Sequence, residues 1–309
     1  MAIRNFKGKK IGALIVTYNP KLSLLIKNIE AIKEQVEELI IVDNGSSNKN
    51  KIETLTNDYG ISSLFLEKNM GIAYAQNRGM EFLESKGMVW GVTLDQDSIV
   101  PKNMVEQYVN SIEYKKDDTG ILALQFCDPE WNDSLKKIKL KSFEINTLEK
   151  RVIASGNLVR IKAWRDVEGF DEWLFIDSVD FDFDAKIILK GYKIWQINNI
   201  VMRHKLGQVV DKPFLKRVLL YSKNTVFADH SPFREYYIHR NMFIYNKRYP
   251  EFRDRGNLWI VFSLLQMRQI LIFPNSLIKL RQAIRGVVDG MKYNPKKDKK
   301  FQAFKNKLM

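Results

Sequence analysis

Cysteine is almost missing from this 309-residue sequence: Cys127 stands alone, so the chain cannot close an internal disulfide and needs no oxidising compartment to fold. Histidine is scarce as well, at three residues. Long apolar runs are absent. The most apolar window, Leu258 to Phe273, is sixteen residues and holds Gln266, Arg268 and Gln269, short of the roughly 20 predominantly apolar residues that a spanning helix needs. The start, Met1 to Lys10, is polar and basic, and the apolar run after it, Ile11 to Val16, has the length of a strand rather than of a secretory leader. The expectation is a cytoplasmic protein that meets a membrane only peripherally, at the inner face of the plasma membrane.

A 45% hydrophobic and 12% aromatic content excludes a disordered, solvating chain and points to a packed core. The formal charge of +14 is unevenly placed. Residues 1–202 hold 27 Lys and Arg against 29 Asp and Glu, whereas residues 203–309 hold 23 against 7. A near-neutral body thus carries a strongly basic last third, which suits an anionic partner such as nucleic acid or lipid headgroups. No nucleic-acid-binding module accompanies that charge, and the aromatics form no base-stacking platform.

Short apolar runs alternate with helical patterns through the first hundred residues, the signature of βα units and a mostly parallel α/β sheet. Strands are expected at Ile11–Thr17, Leu39–Val42, Ser62–Leu66 and Val89–Leu94, and helices at Leu22–Gln35 and Ala73–Ser85. Further strands are expected at Gly120–Phe126 and Val152–Val159, a helix at Ser178–Leu189, and helices from about Leu215 onward. In such a sheet ligands sit outside the carboxyl ends of the strands, so Thr17, Asp43, Asn69 and Asp95 should share one rim.

Asp95-Gln96-Asp97 follows an apolar strand directly. Two carboxylates one residue apart can point to one side of the pleat and hold a hard divalent cation, although an Asx-type turn uses the same residues. Asp43 stands at the end of another strand, where it could accept a ribose or pyrimidine donor or simply order the turn Asn44-Gly45-Ser46. Asn69-Met70-Gly71-Ile72-Ala73 places small residues where a helix would aim N–H groups at an anion. It has neither the Gly-x-Gly-x-x-Gly of a dinucleotide fold nor the Gly-Lys-Ser/Thr of a phosphate loop. A nucleotidyltransferase would share the sheet and carboxylate pair, but not the acid-rich stretch 177–184.

Taken together, Thr17-Tyr18-Asn19-Pro20, Asp43-Asn44-Gly45-Ser46, Asn69-x-Gly71, Asp95-x-Asp97, Ser155-Gly156-Asn157, Gly169-Phe170-Asp171-Glu172, Asp177-Ser178-Val179-Asp180 and Arg203-His204 resemble the family 2 glycosyltransferases, over roughly residues 10–210. That resemblance implies a nucleotide-sugar-binding GT-A fold and inverting chemistry. Asp95-Gln96-Asp97-Ser98 and Tyr236-Tyr237-Ile238-His239-Arg240-Asn241 look most like bacterial rhamnosyltransferases of surface polysaccharide synthesis, which use dTDP-L-rhamnose. Galactofuranosyl- and other hexosyltransferases using UDP-sugars are the alternative.

The roles so implied are these. Thr17, Asp43, Asn69 and Gly71 hold the nucleotide, and Asp95 contacts ribose or metal. Asp97 and His204 ligate Mg2+ or Mn2+. Asp180 is the leading general base, ahead of Asp177, because Ser178 stands where the commoner Glu-Asp motif has its aspartate. Trp173 and Phe175, with Trp164, are positions for stacking on an acceptor sugar. Positions 177, 180 and 184 would share one helical side beside aromatics, which would raise a carboxyl pKa. The acceptor is expected to be a glycan, lipid-linked by analogy, and an oligomer is open.

The expected organisation is a catalytic domain over 1–212, with nucleotide-sugar binding in 10–100 and acceptor handling in 101–212, then a basic helical region over 213–309. Within the latter, Ser276–Lys292 reads as an amphipathic helix, apolar at 277, 280, 284, 287, 288 and 291 and edged by Arg281, Arg285 and Lys292. It would either lie on an anionic membrane or pack on the rest of the protein.

Overall fold

The computed structural model describes residues 8–128, 131, 136–137, 139–203, 208–209, 212–222, 225 and 227–308. They form two compact units, Met1–Phe175 with Val179–His204, and Ile176–Ser178 with Lys205–Met309. This division falls at 204/205 and assigns the three residues 176–178 to the second unit.

The first unit runs β1 (Ile11–Thr17), α1 (Leu22–Ile32), β2 (Glu38–Asp43), α2 (Lys49–Tyr59), β3 (Ser62–Phe65), α3 (Ile72–Ser85), β4 (Trp90–Asp95), α4 (Met104–Asn110), β5 (Thr119–Cys127), β6 (Thr147–Leu148), β7 (Asn157–Arg160), α5 (Ile161–Asp166), α6 (Val179–Leu189) and β8 (Lys193–Arg203). Its sheet has the order β3-β2-β1-β4-β7-β5-β8-β6. β3, β2, β1 and β4 are mutually parallel; β7 lies antiparallel between β4 and β5; β5 and β8 are parallel, and β6 closes the edge antiparallel.

All seven residues of β1 are buried, as expected for a continuous apolar run covered on both faces. Register sets the site. Thr17 lies opposite Asp43 and Val16 opposite Asp95, so three strands end level on one rim. The helix that completes this rim is lowered onto the sheet by glycine. A Cβ at Gly12 would sit 2.5 Å from Leu83 Cδ2, and one at Gly91 would sit 2.8 Å from Met80 Sδ, so α3 rests directly on β1 and β4.

Several expected elements shift. The strand foreseen over Val152–Val159 shrinks to Asn157–Arg160, because Gly156 turns with φ 89° and its N–H donates to Thr93 O at 2.8 Å. α2 was not foreseen: its polar sequence buries only Ile52 and Thr56. β8 was hidden by polar residues, and against β5 its register jumps from Ile197 to Val201 around the buried Asn198.

The second unit holds β9 (Gln208–Val209), α7 (Pro213–Val218), β10 (Ala228–Asp229), α8 (Pro232–Arg248), α9 (Trp259–Gln266), α10 (Ser276–Lys292) and α11 (Lys299–Asn306), with β9 and β10 antiparallel. Ser231 caps α8 by accepting from Arg234 N–H, and Pro232 occupies its first turn. α10 packs on α8 at backbone range: a Cβ at Gly286 would collide with the Tyr236 carbonyl, and one at Gly290 would come 2.6 Å from Phe243 Cβ. Phe243, Trp259, Met267, Ile270, Ala283 and Val287 form its core. No described helix is long and apolar enough to cross a membrane.

Candidate active site

The rim is wired by side chains. Asp43 is fully buried; its Oδ1 accepts from Thr17 Oγ at 2.9 Å and from Ser46 Oγ, and its Oδ2 accepts from Ser46 N–H at 2.9 Å. Thr17 is buried too. Both were expected to touch a nucleotide directly. In this geometry they bond to one another and to Ser46, and so brace the loop after β2. Ser46 Oγ in turn accepts from Asn19 N–H at 2.7 Å, and Asn19 Oδ1 accepts from Ser47 N–H at 2.9 Å.

Asn69 is joined to the same loop. Its Oδ1 accepts from Asn44 Nδ2 at 3.0 Å and Gly71 N–H at 2.9 Å, while Asn44 Oδ1 accepts from Met70 N–H at 2.8 Å. Gly71, at φ 89°, begins α3. The first free N–H of that helix, on Ile72, donates to Phe175 O at 2.7 Å and so serves the protein rather than an anion.

Asp95 is half-buried and Asp97 exposed. The backbone around them is held firmly: Asn28 Nδ2 donates to Asp95 O at 2.7 Å, Asp95 N–H donates to Ser155 Oγ at 3.0 Å, and Ser155 Oγ donates to Ser98 Oγ at 2.7 Å. Gln96, between the two acids, accepts from Tyr18 N–H at 2.8 Å. Arg203, at the end of β8, forms a backbone bridge with Ile99, two residues beyond Asp97. His204 lies outside the described residues. Among the described residues no three His, Cys, Asp or Glu side chains converge as a metal cage. Two hard carboxylate oxygens sources at a strand end nonetheless fit Mg2+ or Mn2+, which commonly binds through one or two carboxylates and takes its remaining ligands from phosphate and water.

The acidic segment is braced from α3. Asn77 is buried with every polar atom used: Oδ1 accepts from Phe170 N–H at 2.9 Å and Trp164 Nε1–H at 3.1 Å, and Nδ2 donates to Phe170 O at 3.0 Å and Glu172 Oε1 at 2.9 Å. Trp164 is therefore a core residue and not a stacking platform. Trp173 is exposed, whereas Phe175 is half-buried against Gly71, where a Cβ would come 2.8 Å from the ring. Phe175, Asp177 and Ser178 all have positive φ (67°, 62° and 58°). Left-handed backbone is costly for non-glycine residues and persists only where neighbours impose it.

The second unit supplies that imposition for 176–178. Asn241 Nδ2 donates to Ile176 O at 2.7 Å and Asp177 O at 2.8 Å. Arg234 grips the Asp177 carboxylate with two nitrogens, Nη2 to Oδ1 at 2.5 Å and Nε to Oδ2 at 3.3 Å. α6 starts only at Val179, so Asp177 does not share a helical face with 180 and 184. Asp180 sits half-buried in the first turn, accepting from Phe181 N–H at 3.0 Å. Asp182 and Asp184 are buried; Asp184 accepts from Val152 N–H at 2.7 Å, and burial pushes its carboxyl well up.

Beside the Asp177 grip, Glu235 is buried and pushed up to about 7, mainly by desolvation. Lys279 and Arg234 pull it down and Asp229 and Asp177 push it up. The folded protein then keeps a proton on Glu235 that the unfolded chain loses from about pH 4.5, so stability falls as pH rises from there to about 7. Glu235→Gln is expected to be more stable than the parent by about 2 kcal/mol at pH 8, with the gain shrinking toward pH 5, read from urea unfolding midpoints.

Residues 13–165 match the model of Glycosyl transferase family 2. The chain carries a family 2 glycosyltransferase domain and is a glycosyltransferase. This glycosyltransferase is 28% identical over 303 residues to the dTDP-rhamnosyl transferase RfbF of Shigella flexneri, across 92% of this chain and 98% of that one. Among solved structures it is similar to GalNAc-T7 with UDP, GalNAc and Mn2+ (TM-score 0.55, 13% identity, 84% of this chain), of whose length it spans 54%. It is also similar to Staphylococcus aureus TarS 1–349 (TM-score 0.51, 15% identity, 91% of this chain and 88% of that one). These likenesses show the GT-A fold expected from the sequence.

Proposed function

We propose that this glycosyltransferase moves L-rhamnose from dTDP-L-rhamnose, with inversion, to a hydroxyl of a glycan acceptor in surface polysaccharide synthesis. The observation that carries the reading is the end-to-end similarity to a dTDP-rhamnosyl transferase, which extends through the helical unit as well as the catalytic sheet. The acceptor class that suits such a pathway is a lipid-linked glycan.

Asn69 and Gly71 shape the nucleotide side of the rim, over the Thr17–Asp43–Ser46 support. Asp97 and Asp95, with His204, would hold Mg2+ or Mn2+. The metal supplies charge neutralisation for the departing diphosphate. In the displacement the acceptor oxygen forms a bond to the anomeric carbon as the bond from that carbon to the diphosphate oxygen breaks; dTDP leaves, and Asp180 takes the acceptor proton. Asp177, held by Arg234, fixes the loop that leads into Asp180. Trp173, exposed at this segment, is the better placed of the two aromatics to stack on an acceptor sugar.

The test is a thermal-shift and turnover panel with dTDP-rhamnose, UDP-galactofuranose and UDP-glucose, each with and without Mn2+. The expected result is a metal-dependent shift and dTDP release with dTDP-rhamnose alone, and at least about a hundredfold loss of turnover in Asp97→Ala. A response confined to the UDP-sugars overturns the donor assignment, and unchanged turnover in Asp97→Ala overturns the metal assignment.

A further inference from the structure

The apolar row read from the sequence of α10 does not face inward as a whole. The side turned to α8 carries Lys279, Ala283, Gly286, Val287 and Gly290. This follows from the close glycine contact, because only small residues fit where Gly286 meets the Tyr236 carbonyl. The larger apolar residues are left outside: Leu277, Ile284, Val288 and Met291 are 79%, 50%, 41% and 55% exposed. At 100° per residue these four span about 60° of the helix circumference, and Arg281, Lys292 and Arg285 follow along one edge. All three cations are exposed.

α9 likewise leaves large apolar side chains outside. Trp259 and Ser263 face the core it shares with α10, while Ile260, Val261, Leu264 and Leu265 are exposed on a helix without any charged side chain. An exposed stripe of this kind is uncommon on a surface that meets only water and marks an interaction face.

We propose that the outward face of α10, with α9 beside it in the chain, docks on an anionic membrane surface, its apolar stripe entering the headgroup boundary and Arg281, Arg285 and Lys292 meeting lipid phosphates. Charge decides the occupant. Residues 251–309 hold thirteen Lys and Arg against four Asp and Glu. The sole acid on α10, Asp289, accepts from Tyr236 Oη at 3.0 Å and is engaged within the unit. A second copy of the chain would bring two cationic rows together without an acidic complement, whereas phosphate headgroups supply the missing charge beside an apolar interior. A helix lying flat with cations at the edge of its apolar stripe suits that boundary, where long basic side chains reach back to the headgroups. The inference does not depend on which sugar is transferred.

The experiment uses the full chain in flotation assays with vesicles of phosphatidylcholine alone and of phosphatidylcholine and phosphatidylglycerol, two to one. The expected result is binding at least about tenfold stronger to the anionic vesicles and weakened by salt. Ile284→Asn with Val288→Asn is expected to lose binding to them, and Arg281→Gln with Arg285→Gln to lose about tenfold. Both pairs are exposed, so circular dichroism melts should match the parent. As a second readout, Ile284→Trp should shift its emission to the blue only with anionic vesicles. Equal binding to both vesicle types, or binding unaffected by both double variants, overturns the proposal. So does a dimer in light scattering that Ile284→Asn with Val288→Asn makes monomeric while vesicles leave it untouched. Turnover on a soluble acceptor should be the same in all these variants, which separates failure here from failure of the rhamnosyl reading.

Discussion

Asp180→Asn is expected to lower kcat by about a thousandfold while leaving the dissociation constant for dTDP-rhamnose within about twofold. The substitution keeps the size of the side chain and its acceptance from Phe181 N–H, 3.0 Å in this structure, but removes the site for the acceptor proton. On the proposed reading the donor is held at the strand rim, and Asp180 lies on α6 instead. The kinetic signature is therefore a fall in kcat without a rise in donor KM, accompanied by normal donor-induced thermal stabilisation. Asp177→Asn provides the contrast, since its carboxylate is already committed to Arg234. If Asp180→Asn turns over at the parent rate while Asp177→Asn does not, the base assignment moves to Asp177.

Arg234→Ala and Asp177→Ala are expected each to cost about 3 kcal/mol of stability, and together little more than either alone. The pair is a two-nitrogen contact with Asp177 largely buried, and losing Arg234 leaves an uncompensated carboxylate on a loop whose backbone is already in the left-handed region. The same variants should slow transfer by about tenfold to a hundredfold, because Asp180 follows the loop by two residues. Arg234→Lys should restore part of the stability and little of the rate, since one ammonium cannot hold both carboxylate oxygens. A strictly additive double variant, or full rate in Arg234→Ala, would show that the grip does not position the loop.

Much of the sheet could be read from the chain because β1, β2 and β4 are unbroken apolar runs that end in polar turns; their level endings on one rim are in the register of Thr17 with Asp43 and Val16 with Asp95. The resemblance located the acids. What it left open was which of them are available to a ligand. Asp43 and Asp95 occupy equivalent strand ends, yet their settings differ: Ser46, three residues on from Asp43, bonds to that carboxylate, while Ser155, from a distant loop, accepts from the backbone N–H of Asp95. Pattern reading failed where long-range partners decide the outcome. Nothing near Asp177 announces Arg234, 57 residues away, and Asn77, which belongs to the motif Asn77-x-Gly79, shows its bracing role only in its four hydrogen bonds to Phe170, Trp164 and Glu172. The apolar row on α10 was read correctly as a pattern, but its facing was set by Gly286 and Gly290, which hydrophobicity alone ignores.

The excursion at 176–178 bears on how the enzyme can be cut or recombined. The chain leaves its first unit after Phe175, spends three residues in the second, and returns at Val179. A fragment ending near residue 204 would keep the sheet, its rim and both carboxylates of the Asp95–Asp97 pair, and would lose Arg234 and Asn241. Such a fragment keeps the proposed donor rim and loses the two side chains that hold residues 176–178. The helical unit is thus no removable tail: swapping it between relatives would also exchange the side chains that hold residues 176–178.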